Sequence, residues 1–373
     1  MPQTTRWMAV ITLSIALAST VPALTARAVP RYSARYEQNC MLCHVNPSGG
    51  GMRSAYAVQE LIPKEFAISP AKPEALKEID PRIGKHLSIG TDFRQLFLAE
   101  TANAAAAPPQ GFFPMQGDLY VCFQLDPRYE LYYDRSFSNT YEAFGVAHVL
   151  PWDGYLKAGR FVPPYGWKFD DHTMFVRDDL GFAPPGNSDG GIEVGLSPLN
   201  GDVQVALVNG SRGSTLDSDR RLAVSGNASK RFRLGPVAGL LGVAAYAHPG
   251  LEEDFNTAGL FGYLSGWNVT WVGQGDLIRH DPFIGQTLSG TVSSHELSVR
   301  LHQGVELLST YDFFDPDRHL RSGAKTRWGV GFSVMPHAFL IAQAIFRQTH
   351  FERGPALSHR DYDEGLFQLH LLY

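Results

Sequence analysis

The sequence predicts an all-β chain: a transmembrane antiparallel barrel of about 16 strands, preceded by a small helical segment. Three observations predict it. From residue 86 onward, short segments alternate apolar and polar residues, which is the two-residue period of a strand with one wet and one apolar face. The links between these segments alternate between short and long, as they do when one barrel rim is periplasmic and the other external. Beyond the N-terminal stretch, no run is both uncharged and continuously apolar over the ~20 residues that a membrane helix needs.

Composition agrees. Hydrophobic residues make up 44% of the chain, an ordinary share, because only every second strand residue of a barrel faces lipid. The 12% of aromatic residues suits interfacial girdles, and the 37 glycines suit turns. The formal charge of -5 argues against a nucleic-acid partner. It is compatible with cationic partners, metal ions included.

Residues 1–28 read as a secretory signal. Arg6 supplies the positive region, residues 7–18 (WMAVITLSIALA) the apolar stretch, and Ala26-Arg27-Ala28 the small-x-small cleavage site. The stretch is too short to span a bilayer.

Residues 29–85 form the helical segment. Its centre is Cys40-Met41-Leu42-Cys43-His44. In an exported chain, CxxCH is the attachment site of a c-type haem: Cys40 and Cys43 form thioethers to the vinyl groups, and His44 becomes the proximal iron ligand. One motif implies one covalent haem c. Residues 32–39 can form a helix leading into the motif. Asn46-Pro47-Ser48-Gly49-Gly50-Gly51 must turn. Residues 52–61 read as a helix that Pro63 stops, and residues 73–79 as another. The distal ligand candidates are Met52, just past the glycine turn, and His86, at the junction with the barrel. Met115 is a further possibility, whereas Met41 is poorly placed to reach the opposite haem face. Fewer than ~60 residues bury a low fraction of their surface, so this segment is expected to pack against the mouth of the barrel or inside it.

Residues 86–373 form the barrel. Glu130, Tyr132 and Asp134 share one face, and Tyr129, Leu131 and Tyr133 the other. Ile192 and Val194 alternate with Glu193, and Leu297, Val299 and Leu301 with Glu296, Ser298 and Arg300. The carboxylates Glu130, Asp134, Glu193 and Glu296 read as wet pore lining. Short links fall at Asp126-Pro127, Pro151-Trp152-Asp153, Gln303-Gly304 and Pro336-His337. Long ones fall at 99–116, 163–190, 210–219, 248–257, 279–291 and 316–323. An even strand number puts both ends of the barrel at the periplasmic rim, where the helical segment would lie. Cys122, the third cysteine, reads as a small filler in a strand. The link 163–190 carries Lys168, Asp170, Asp171, His172, Arg177, Asp178 and Asp179, which could bind or steer a cation. No nucleophile elbow, HExxH or phosphate loop occurs. A soluble β-rich domain is the competing class, but no blade-like repeat is visible.

The last strand, residues 365–373, alternates and ends on the aromatic Tyr373, and so resembles the terminal strand of outer-membrane barrels. The order of signal, VPRYSARYEQNCMLCH, short haem segment and barrel resembles the fused monohaem cytochrome–porins of bacterial outer membranes, some of which act as iron(II) oxidases. GRFVPPYGW (residues 159–167) resembles strand and loop sequences of phosphate-selective-type porins, and in porin-like barrels the link 163–190 often folds inward and narrows the channel. The resemblance implies one-electron exchange between an extracellular donor or acceptor and a periplasmic c-type cytochrome. The alternatives are a diffusion porin whose appended haem serves docking or sensing, and a periplasmic haem enzyme.

Overall fold

The structure, a computed structural model, describes residues 30–69, 80–101, 110–137, 140–180, 187–211, 221–251, 253–320, 323–352 and 361–373. The signal at residues 1–28 and the helix expected at 73–79 lie outside the described residues.

Among the described residues, seventeen strands hydrogen-bond into one sheet. One is a two-residue piece, Arg82–Ile83, laid along the start of the barrel. The other sixteen are β1 Leu87–Glu100, β2 Gln110–Asp126, β3 Tyr129–Ser136, β4 Tyr141–Leu150, β5 Gly154–Phe161, β6 Asp189–Leu196, β7 Gly201–Val208, β8 Ala223–Leu234, β9 Val237–Pro249, β10 Glu253–Gly266, β11 Val269–Pro282, β12 Leu288–His302, β13 Val305–Asp315, β14 Lys325–His337, β15 Leu340–Phe351 and β16 Tyr362–Leu372. Each pairs antiparallel with its sequence neighbour, and β16 pairs with β1 from Glu364↔Glu100 to Leu372↔Asp92. Closure leaves no unpaired edge, which is the condition for strands to lie in lipid.

The expected faces are observed. Leu119, Phe123, Leu131, Tyr133, Ile192, Val205, Val243, Leu260 and Phe367 are exposed on the outside, while Tyr120, Tyr132, Glu193, Gln274, Glu296 and Asp312 are buried inside. The outer belt is apolar and the lumen polar, the arrangement of a membrane barrel. Trp152 and Trp267 stand exposed beside short turns, at the depth where amphipathic rings anchor a barrel. Three links are shorter than their readings. In 248–257, β9 and β10 stay paired out to Pro249↔Asp254. In 279–291, β11 runs to Pro282 and β12 starts at Leu288; in 99–116, β1 runs to Glu100 and β2 starts at Gln110. Polar residues near the outer rim hide strand that the apolar alternation does not mark.

The lumen is filled from both ends. A helix α1, Pro30–Tyr36, stands inside the barrel. Buried Arg31 pairs with Glu296 at 2.9 Å and Glu306 at 2.8 Å. Arg35 reaches Glu306, Thr270 and Ser298. Residues Ala57–Phe66 form a wide helix of π type. It packs Leu61, Ile62 and Phe66 against Met335, Ile341 and Leu372, at the short-turn end. The expectation that Pro63 would stop this helix is corrected: the helix runs through it. Proline lacks the amide hydrogen and crowds an ordinary α-turn, whereas a wider turn accommodates the ring. From the other side the link after β5 folds into the lumen, burying Tyr165, Phe169, Met174, Phe175, Val176 and Leu180. It includes a single helical turn α2, Phe175–Asp178. Residues 30–69 therefore form a plug in the short-turn half, and residues 162–180 a strap across the other half.

Candidate functional site

The CxxCH motif lies within the plug. Cys40–Leu42 make a 3-10 turn, and the His44 amide donates to the Cys40 carbonyl at 3.0 Å. Residues 43–54 then double back around the glycines: Val45 N–H bonds Met52 O at 3.0 Å, and Ser54 N–H bonds Cys43 O at 2.9 Å. Gly51 has φ +66°, and a Cβ there would lie 2.2 Å from the Tyr132 hydroxyl oxygen. Only glycine fits, and the fit matters, because the Tyr132 hydroxyl accepts the Met52 amide at 3.0 Å. Gly51→Ala is expected to cost ~1–3 kcal/mol in backbone strain alone. Hydrogen–deuterium exchange of residues 40–54 should speed up several-fold. Unchanged protection would show that the turn tolerates a side chain.

The Gly51 carbonyl stands 3.3 Å from His44 Nδ1. That bond fixes the tautomer and leaves Nε2 available, which is how a ligating imidazole is held by its backbone partner. Burial and the neighbouring Arg53 push the His44 pKa down to about 4, so the ring is neutral, the form able to ligate a metal. Cys40 and Cys43 are free thiols. Burial, then the Cys40 charge, pushes the Cys43 thiol up to about 12.

These three side chains line a cavity of about 280 Å³ between plug and strap, close to the ~300 Å³ at which cofactor pockets begin. The strap contributes Trp167, Lys168, Asp170, His172 and Arg177; the barrel wall contributes Asp92, Arg94, Tyr155 and His370. Apolar lining from Leu61, Phe66 and Phe261 joins these polar groups. A pair of free thiols, a neutral imidazole held by Nδ1 and a walled, part-apolar cavity fit the demands of a covalently attached haem. Among the described residues, no group of three or more His, Cys, Asp or Glu is arranged to hold a bare metal ion.

The two distal candidates fall elsewhere. His86 is exposed at the rim, with Nδ1 2.8 Å from the Gln124 carbonyl and its ring against Phe123. Met52 is buried against the wall, close to Gly90 and Tyr120, and does not line the cavity. Met52 is near the motif in sequence and His86 lies at the junction with the barrel, but neither fact says which way a side chain faces once the segment is threaded into the lumen. Met115 occupies the bulge opposite Arg94 and Gln95. Cys122 is a buried lumen-side filler, 3.9 Å from Glu130.

The lumenal carboxylates are not simply wet. Glu193 and Lys157 form a pair at 2.6 Å with neither side chain exposed. Lys157 also holds the plug through Ser48 Oγ at 2.7 Å and Asn46 Oδ1 at 3.3 Å. The sequence pattern cannot separate water from plug as the partner of a lumenal acid. Lys157→Met would leave Glu193 with Tyr155 at 2.6 Å and should cost ~3–5 kcal/mol, the expected penalty for breaking a buried pair. Urea unfolding in vesicles measures it. The double variant Lys157→Met/Glu193→Leu should recover most of the loss, and a single-variant cost below ~1 kcal/mol would contradict the burial.

The fold and the filled lumen together define an outer-membrane barrel of the porin type. No protein-family model matches the sequence, and no curated protein matches it. Among solved structures, the chain is similar to an anion-selective porin from Comamonas acidovorans, with a TM-score of 0.58 at 10% identity over 77% of this chain and 99% of that one. It is similar to OprB of Pseudomonas putida, with a TM-score of 0.58 at 7% identity over 81% of this chain and 96% of that one. It is also similar to OmpT of Vibrio cholerae, with a TM-score of 0.57 at 8% identity over 79% of this chain and all of that one. These likenesses concern the barrel fold, and they place it in the bacterial outer membrane.

Proposed function

We propose that the protein is a monohaem electron conduit of the outer membrane, passing single electrons between an extracellular redox partner and a periplasmic c-type cytochrome or similar carrier. The observation that carries this reading is the position of the CxxCH motif. It lies inside the lumen, on a cavity walled by plug and strap, with His44 oriented by the Gly51 carbonyl. When bound, a c-type haem supplies a one-electron iron couple. Cys40 and Cys43 would anchor it, and His44 would hold the iron through Nε2. Plug and strap occupy the lumen, which would let charge cross without a solute leak. The barrel carries the site through the ~25 Å apolar band. Iron is one extracellular substrate compatible with this reading.

The test uses purified holo-protein in liposomes, an impermeant external reductant and an enclosed acceptor, with solute leakage measured in parallel. Transfer without leakage that disappears in His44→Ala supports the conduit. A second reading, a diffusion porin with an appended haem for docking or sensing, draws on the likeness to porin barrels. Leakage of small solutes with no haem-dependent transfer would establish that reading and sink the first.

A further inference from the structure

The cavity has two sides, and only one has been assigned chemistry. The plug brings Cys40, Cys43 and His44 to it; the strap brings His172. Every neighbour of His172 is tied down. Asp170 meets Arg94 through its side chain at 2.8 Å and through its carbonyl at 2.8 Å. Asp171 takes Arg347 and caps Thr173 at 2.9 and 2.7 Å. The Thr173 carbonyl accepts Arg327 at 2.5 Å, the Phe175 amide donates to Asp312 at 3.2 Å, and the Val176 amide to Ser294 at 3.2 Å. His172 itself makes no hydrogen bond or ion pair among the described residues. Burial, with Arg177 and Arg94 nearby, holds its pKa well below the usual histidine value, so the ring is neutral. A rigid strap thus presents one uncommitted imidazole to the cavity.

A second feature of the strap points the same way. Arg177 is buried and lines the cavity. One of its nitrogens donates to the Phe169 carbonyl, but Nε and Nη2 are buried without partners. A buried, unpaired guanidinium is costly unless an anion meets it. The strap therefore offers both a ligand for a metal and a counter-charge for a carboxylate. The wall brings a second imidazole, His370, but its Nε2 lies 2.7 Å from the Asp92 carboxylate, whereas no carboxylate pairs with His172 among the described residues.

We propose that His172 is the second axial ligand of the haem attached at Cys40, Cys43 and His44, and that Arg177 meets one of its carboxylates. The site would then be completed by the strap and not by the plug. This rests on the reading that the CxxCH motif carries haem. It predicts bis-histidine coordination, with a lower reduction potential than histidine–methionine ligation.

The test is spectroscopic, on purified holo-protein. The wild type should show a low-spin, six-coordinate ferric spectrum. His172→Ala should turn it high-spin, and added imidazole should restore it. His172→Met, which keeps a side chain able to ligate, should return a low-spin spectrum with a raised potential. Arg177→Gln should lower the potential, because removing a cation favours the ferric state. His370→Ala should leave the ligation unchanged. A low-spin spectrum that persists in His172→Ala, or is lost in His370→Ala instead, overturns the assignment while the haem reading stands. So does a wild type that is high-spin from the start. A wild type with no covalent haem overturns both, and a covalent-haem stain distinguishes that outcome. If His172→Ala fails to fold, the unchanged potential of a folded His172→Met would overturn the proposal by itself.

Discussion

Deleting residues 30–69 is expected to turn a sealed barrel into an ion-conducting pore. The sixteen strands pair with one another all the way round, and β16 closes on β1 without help from the plug. The deletion therefore removes no strand-to-strand hydrogen bond from the barrel. It does strip partners from Glu296, Glu306, Lys157 and Lys168, but these face the lumen, where water would take over. Barrels of 16 to 18 strands ordinarily leave an aqueous channel. The strap at residues 162–180 would remain as a constriction. Planar-bilayer recordings should show the full-length protein nearly silent and the deletion variant opening discrete channels, with swelling of vesicles in small sugars to match. Equal conductance in both proteins would mean that the plug does not seal the lumen, and would favour the diffusion-porin reading over the conduit.

The second large effect is chemical. Cys40→Ser with Cys43→Ser should abolish covalent haem, seen as loss of haem staining on a denaturing gel, and should bring transmembrane electron transfer down to that of protein-free vesicles. The barrel should survive, because neither thiol is in a disulfide. Heat-modifiable gel migration would report its integrity. Persistence of haem staining in the double variant would place the attachment elsewhere and remove the basis of the proposed function.

The barrel was largely legible in the sequence, because lipid on one side and a polar lumen on the other impose a period of two. Tyr129, Leu131 and Tyr133 point outward for that reason, and Tyr132 inward. The inward fold of the link after β5 was legible only through the porin resemblance, since its residues have no period. The lumenal partnerships were not legible at all. Arg31 and Glu306 are far apart in the chain and meet only because a helix is threaded inside the barrel. His172 appeared in the sequence as one polar residue of a charged link. Its significance is spatial: it shares a cavity with His44, and no local pattern encodes that. Met52, close to the motif in sequence, faces a wall, and His86, at the barrel junction, stands at the rim.

The threading of the plug through a closed ring of strands also constrains biogenesis. Cys40 and Cys43 precede every strand in the chain, yet end up enclosed by all of them. An enzyme that joins a cofactor to those thiols needs to grip the surrounding peptide, and the finished barrel leaves it no room to do so. On the proposed haem reading, loading would therefore come before the last strand zips to the first. Stalled assembly intermediates from the periplasm should already carry the cofactor, whereas apo-protein folded first should be unable to acquire it.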